Sequence, residues 1–515
     1  MYNILYIPLD ERPCNYRFPA ALAKGTDVTL IEPPLELMGA KKKPGDVDLL
    51  WNWLLERAAD ADGAILSLDT LVYGGIIPSR LHHLSAAECE QRLNRLRRLK
   101  EINPALKVFA FSLIMRCPQY SSSDEEPDYY GEWGREIFRL GYIRHRKELG
   151  LATEEELHEL EKIEAALPRD VLQDYAERRK TNLEVNKMAL RLLKDKAIDF
   201  MIVPQDDSAP YGWTAVDQQQ VREQVTKLDL ELDVYMYPGA DEVGCTLLAR
   251  MINEFKGRRP LVHVHYASVR APFVTPLYED RFLFESVKYQ IMAAGALMTT
   301  SFAEADLVLC VNAPGSDMME ANAQQNAHLG YQVQRNVVEL VEVADYAVNR
   351  LKKPCVVADV AFANGADLVL FKLLRAKKLL FKLAGYAAWN TSSNTLGTCI
   401  AQGLLYLVYG DTAAHRDFLS LRFVEDAGYC AHVRALVTRE YLPALGYNYF
   451  SVDGSRGKVA GIVKKELEKF IEQYMNDDEY RVVIEDCYMP WSRMFEVGLD
   501  TRAIAVEGRP DPGLR

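Results

Sequence analysis

Residues 200–213 read FMIVPQDDSAPYGW. The apolar run that opens this stretch is too short for a helix, and its continuity marks a strand buried on both faces. A polar loop then continues the chain from the strand's exit. The same pattern recurs at Ile4 to Pro8, Val28 to Ile31, Gly63 to Leu68, Val108 to Leu113, Val234 to Tyr237, Leu261 to His265, Leu307 to Val311 and Val356 to Val360, with a weaker run near Phe381 to Ala384. Longer helical patterns lie between these runs, the alternation that builds βαβ units around a parallel sheet. The predicted fold is therefore α/β, with two doubly wound, mostly parallel Rossmann-like sheets. A TIM-like (β/α)8 barrel is the alternative that nine or ten strands also permit. In either architecture, polar residues just after parallel strands line the ligand crevice.

The chain has 515 residues, and at about 150 residues per domain that length predicts two or three domains. An N-terminal α/β domain is expected over 1–238, with a helical insertion at about 134–195, where Thr153 and Glu156 have capping-box spacing and Pro168 restarts a helix. A second α/β domain is expected over 239–410, beginning at the Pro238-Gly239 turn. A mixed region over 411–515 completes the chain, with a helix at Lys458 to Tyr474 and a strand at Tyr480 to Glu485. Sixty-one basic against 73 acidic residues give a net charge of −12, which opposes nucleic-acid binding. The nine cysteines form no CxxC, so a reducing compartment is expected. The start MYNILYIPLDERP reaches Asp10 and Glu11 before a signal-peptide core forms, and no apolar stretch approaches the ~20 residues that span a bilayer. A cytoplasmic protein without a membrane partner is the expectation. Oligomeric state is not legible in the sequence.

The strand-exit loops hold the candidate chemistry. After the first strand come Asp10, Glu11, Arg12 and Asn15, two carboxylates beside a guanidinium able to hold them ionised. The third strand leads into Asp69 and Tyr73 before paired glycines, and the fourth ends at Arg116, ahead of a polar loop, Tyr120 to Tyr130, with the composition of a lid. Gln205, Asp206 and Asp207 come after the fifth strand, and Tyr211 and Trp213 offer faces for a sugar's C–H surface. Asp241 and Glu242 open a helix, where capping competes with a ligand role. Trp389, Asn390, Thr391 and Asn394 concentrate donors at another helix start, a place suited to hydroxyls or an anion as well as to an N-cap. His263 and His265, two apart on a strand, point to one side, but metal geometry requires a third ligand. Salt-bridged loops, turns and caps are the structural alternatives at each position.

The segments YIPLDERPCNYRFP (6–19), SLDTLVYGG (67–75), PQDDSAPYGW (204–213), YPGADE (237–242) and GYAAWNTSSNTLGT (385–398) together resemble the bacterial domain-of-unknown-function family 4127 over nearly the whole chain. The resemblance implies a full-length bacterial protein and no named activity.

The leading functional expectation is a glycan- or sugar-active hydrolase acting on a small-molecule or carbohydrate ligand. Asp206, Asp207, Glu11, Asp10 and Asp69 are its candidate catalytic acids, one carboxyl kept protonated and another ionised. Arg12, Asn15, Tyr73, Arg116, Gln205, Tyr211, Trp213, Asp241, Glu242, Trp389, Asn390, Thr391 and Asn394 are its candidate ligand contacts. No cofactor is predicted. Two alternatives stand: a hydrolase or lyase whose divalent metal is held by these acids with His263 or His265, and a cytoplasmic binder of a sugar or polar metabolite.

Overall fold

A computed structural model describes residues 1–476 and 479–506. The chain divides into two compact units. Unit 1 comprises Met1–Glu11, Val28–Val243 and Tyr278–Asp280; unit 2 comprises Arg12–Asp27, Gly244–Leu277 and the chain from Arg281 onward. Residues 507–515 of the expected mixed C-terminal region lie outside the described residues.

Unit 1 is built on six strands: β1 (Tyr2–Ile7), β2 (Val28–Ile31), β3 (Gly63–Ser67), β4 (Lys107–Phe111), β5 (Phe200–Gln205) and β6 (Val234–Pro238). They lie in the order β2-β1-β3-β4-β5-β6, every pair parallel, with Ile4 opposite Gly63 and Phe109 opposite Phe200. Every residue of β3 and β5 is buried, as continuous apolar runs in a helix-covered sheet require. The order reverses at β1, so the crevice of a doubly wound sheet opens outside the carboxyl ends of β1 and β3. Between β4 and β5 three helices, Tyr130–Glu148, Glu154–Ala166 and Arg169–Lys194, form a helical segment. Thr153 and Glu156 close a reciprocal capping box at the start of the second helix, and Pro168 precedes the third. Tyr130, Ile137, Leu140, Ile143 and Tyr175 are the buried centre of the segment.

Unit 2 contains β7 (Leu261–Tyr266), β8 (Leu297–Thr299), β9 (Leu307–Asn312), β10 (Met319–Glu320), β11 (Cys355–Asp359), β12 (Phe362–Ala363), β13 (Gly385–Ala387), β14 (Tyr480–Tyr488) and β15 (Gly498–Ala505). Five of these form a parallel sheet in the order β13-β11-β9-β7-β8. In both units the first strand lies inside, the second strand pairs on one side, and the later strands add in succession on the other. The winding is the same although the sequence shows no repeat. β14 and β15 form an antiparallel ribbon.

Both large sheets are open, ending at β2 and β6 and at β13 and β8. A barrel requires its terminal strands to pair, so the TIM-like alternative is corrected to two doubly wound sheets. The run near Phe381 forms a helical turn, Leu380–Lys382, and the strand begins only at Gly385. A Cβ on Gly385 would lie 2.6 Å from the Cys399 carbonyl oxygen, so this strand starts where a side chain has no room beside the helix Ser392–Tyr409. The helix Lys458–Tyr474 forms as expected. Among the described residues no helix is long and apolar enough to cross a membrane.

Candidate functional site

At the carboxyl end of β3 the chain turns directly into a short helix, Leu68–Tyr73. Ser67 caps its start by accepting the Thr70 N–H, and Gly74, at φ 89°, ends it in the left-handed region. The Thr70 hydroxyl lies 2.6 Å from the Pro8 carbonyl oxygen and 2.9 Å from that of Leu9, binding the β3 exit to the β1 exit. Asp69 accepts the Leu113 N–H at 3.0 Å and so ties the same helix to the segment after β4. Three strand exits are thereby fixed around one carboxyl, and burial pushes that of Asp69 up to about 7.

Two arginines organise the acids beside it. Arg80 donates to Asp206 at 2.6 Å, to Glu125 at 3.1 Å and to Glu126 at 3.3 Å. Arg116 donates to Glu126 at 2.7 Å, to Glu125 at 2.9 Å and to Asp207 at 3.1 Å. The adjacent aspartates after β5 thus point to different guanidiniums, while Glu125 and Glu126 bridge both. Asp207 sits at φ 38°, a conformation that Asp tolerates better than most residues; the turn sends successive carboxylates to separate partners. The Asp207 carboxyl is pushed up to about 7, first by desolvation and then by the Asp206 charge, against the pull of Arg116 and Arg80. The side chains of Asp206 and Asp207 remain 17% and 21% exposed, so the two acids are held firmly and reach water.

Around this cluster the other expected residues of unit 1 take varied places. Tyr73 is buried and stacks on His82 at 4.4 Å, its hydroxyl without a hydrogen-bond partner among the described residues. Burial pushes the His82 imidazole down to about 4, and Nε2 lies 2.7 Å from the Asn182 side-chain oxygen. Glu11 accepts the Lys41 N–H at 2.7 Å, and Asp10 is buried. Gln205 donates to Asp280 at 3.1 Å. Asp241 and Glu242 are buried, with Glu242 accepting the Ala240 N–H at 2.9 Å to close the turn after β6. Tyr211 meets Tyr142 edge-on at 5.5 Å. Trp213 donates its indole N–H to the Ile137 carbonyl at 2.9 Å, meets Tyr175 edge-on at 5.8 Å and covers Gly141. Both aromatics therefore hold the helix Tyr130–Glu148 in place.

The remaining expected residues belong to unit 2. Arg12 lies over the Trp491 ring at 4.6 Å and pairs with Glu496 at 3.6 Å. Asn15 directs its amide toward the Cys14 sulfur at 3.7 Å. Trp389 donates to the Thr398 hydroxyl at 3.3 Å and meets Phe18 edge-on at 5.7 Å. Asn390, at φ 53°, accepts the Asn364 N–H at 2.8 Å through its carbonyl, and the Asn394 amide donates to Thr391 at 3.1 Å. This segment is an elaborated start to the helix Ser392–Tyr409. His265 lies 2.9 Å from Glu339, while His263 meets Phe302 edge-on. Among the described residues no three His, Cys, Asp or Glu side chains are grouped to hold a metal ion. At the ends of β9 and β11, the buried Asn312, Asp359 and Asp367 join the half-buried Arg335 in a polar network.

Arg80, Glu125, Glu126 and Tyr120 belong to the cluster without having been singled out from sequence. Tyr120 is half exposed, and its phenol, pushed up to about 12 chiefly by burial, feels the charges of Arg116, Asp207, Glu125 and Glu126. Their signal was positional: Arg80 comes after the paired glycines, and the other three occupy the acid- and aromatic-rich loop after Arg116.

A family model described as protein of unknown function (DUF4127) matches residues 4–500. No curated protein matches the chain. Covering nearly all of the sequence, the family match shows that the chain belongs to DUF4127.

Proposed function

For this member of DUF4127 we propose a hydrolase that uses the carboxylates of unit 1 to cleave a polyhydroxylated, sugar-like substrate. The observation that carries the reading is the Asp206–Asp207 pair, gripped by separate arginines, with one member holding a proton near neutral pH. Hydrolysis at a glycosidic centre needs one carboxyl to deliver a proton to the leaving oxygen and another to act while charged. Asp207 supplies the first role, since a group whose pKa lies near the working pH can both hold and release a proton. Asp206, in its ion pair with Arg80, supplies the second. Glu125 and Glu126 fix the two guanidiniums, and through them both aspartates. Tyr120 offers the exposed ring beside the cluster.

A cytoplasmic location belongs to the same proposal, supported by the nine cysteines, none of which forms a disulfide among the described residues. The test is turnover of a panel of aryl glycosides by the wild type and by the Asp206→Asn and Asp207→Asn variants. Loss of a general acid or base costs about 100- to 10,000-fold in rate, so each variant should fall by that order while remaining folded. Unchanged turnover in both would end the reading. Ligand binding without turnover in the wild type would favour a binding protein.

A further inference from the structure

We propose that a cleft in unit 2 binds a short peptide with apolar side chains and both termini free, its carboxylate on Lys24 and its ammonium on Asp500. This second site goes beyond the hydrolase reading and does not rest on it.

The first support is space. A cleft of about 700 Å³ opens between the helix Phe18–Ala23, the helix Ala413–Arg422 and the ribbon of β14 and β15, all parts of unit 2. Sites for small ligands measure about 300–1,000 Å³ and are lined by apolar side chains with a few convergent polar groups. Phe18, Phe418, Leu421 and Leu499 supply the apolar lining. The three walls are fastened to one another. Phe18 meets Phe418 edge-on at 5.7 Å, the Ala503 N–H donates to Asp417 at 2.9 Å, and the Ser420 and Thr501 hydroxyls lie 2.8 Å apart. The cleft is therefore preformed in the folded chain.

The second support is the placement of charge. The wall built on the first helix carries Arg17 and Lys24 and no acid, while the other two carry Asp417, Glu485 and Asp500 against Arg502 alone. Glu485 pairs with Arg502 at 3.4 Å, and Arg17 lies over the Tyr488 ring at 5.3 Å. The Asp417 carboxyl, pushed up by burial, is drawn back down by its bond from Ala503 and by the charges of Arg502 and Lys24, so the cationic wall is felt across the cleft. Lys24 and Asp500 are exposed, and among the described residues neither side chain has an ion-pair or hydrogen-bond partner. One uncommitted charge of each sign on different walls of an apolar cleft matches a ligand with an apolar body and opposite charges at its ends. A peptide with free termini has that pattern; a fatty acid or a sugar phosphate carries only the negative half of it.

The experiment is isothermal titration of the full-length protein with trialanine, trivaline and trileucine, each as the free peptide, the N-acetylated peptide and the C-terminal amide, at low and high salt. The Lys24→Gln and Asp500→Asn variants are titrated in parallel; both positions are exposed, so the variants keep the fold. Free peptides should bind, and blocking either terminus should weaken binding by about tenfold at low salt and by less at high salt. In Lys24→Gln the loss on amidation should shrink toward unity while the loss on acetylation stays, and Asp500→Asn should show the reverse. Equal binding of free and blocked peptides, losses that the two variants leave unaltered, or no binding of any tripeptide overturns the inference. Tighter binding of the N-acetylated form would mark a site for anions alone and would overturn it as well.

Discussion

Asp69 is 4% exposed and accepts the Leu113 N–H, and the stability of the protein should register its proton. The carboxyl is held near 7 in the folded chain and falls to about 4 when the chain unfolds. Between those values the native state keeps a proton that the unfolded state has released, so this group's contribution to stability declines as pH rises from about 4 to 7 and is level above that. Asp69→Asn keeps an acceptor for Leu113 and removes the titration. Urea unfolding at pH 5 and pH 8 should show the variant gaining on the wild type with rising pH, the full effect over the window being on the order of 3 kcal/mol; a gap that does not change with pH would refute the assignment. At this scale the sequence was informative about which residues to choose. Asp69, Asp206, Asp207 and Arg116 stand out because strand exits in an α/β fold converge. The role of Arg80 was not legible because its ion pair with Asp206 spans 126 positions, and no periodicity reports so distant a partner. Tyr211 and Trp213 show a related limit: an aromatic after a strand looks the same in sequence whether it meets a ligand or packs on a neighbouring helix, as both do in this chain.

The element that matters most to the site is the short helix Leu68–Tyr73, which carries both Asp69 and Tyr73. Its end depends on Gly74, where a Cβ would meet the Gly45 nitrogen at 2.7 Å and the Pro44 Cβ at 2.8 Å, at φ 89°. Gly74→Ala combines left-handed strain with a collision against backbone. It should cost about 1–3 kcal/mol, read as a lowered denaturation midpoint, and reduce turnover further by moving Asp69; a variant as stable and active as the wild type would show that the helix end is not constrained. Strands were legible where they are continuous apolar runs, as in β3 and β5. β8 has three residues and β15 alternates buried with exposed positions, so neither offers the continuous run that marked the others.

For the molecule as a whole, the order of the strands in each sheet could not be read from the chain, because pairing is decided by packing between segments far apart in sequence. The shared winding of the two sheets emerged only from their ladders. Thiol chemistry gives a global test of packing. Eight of the nine cysteines are buried and Cys487 is partly so, its thiol pushed up to about 12 by burial. A disulfide reagent should therefore modify at most one thiol in the native protein and nine after denaturation; rapid native modification of several would contradict the enclosed cores.

The membership of Arg12–Asp27 in unit 2, while the residues on either side of it belong to unit 1, has a consequence for biosynthesis. Phe18 packs edge-on against Trp389 and Phe418, each at 5.7 Å. On the ribosome this segment emerges well before its partners, so the early β-strands of unit 1 can pair while Phe18 waits, uncovered, for Trp389 and Phe418 to be made. A nascent chain stalled after the sixth strand would leave that apolar segment open to chaperones, and synthesis of the segment holding Trp389 and Phe418 is what allows it to be sequestered.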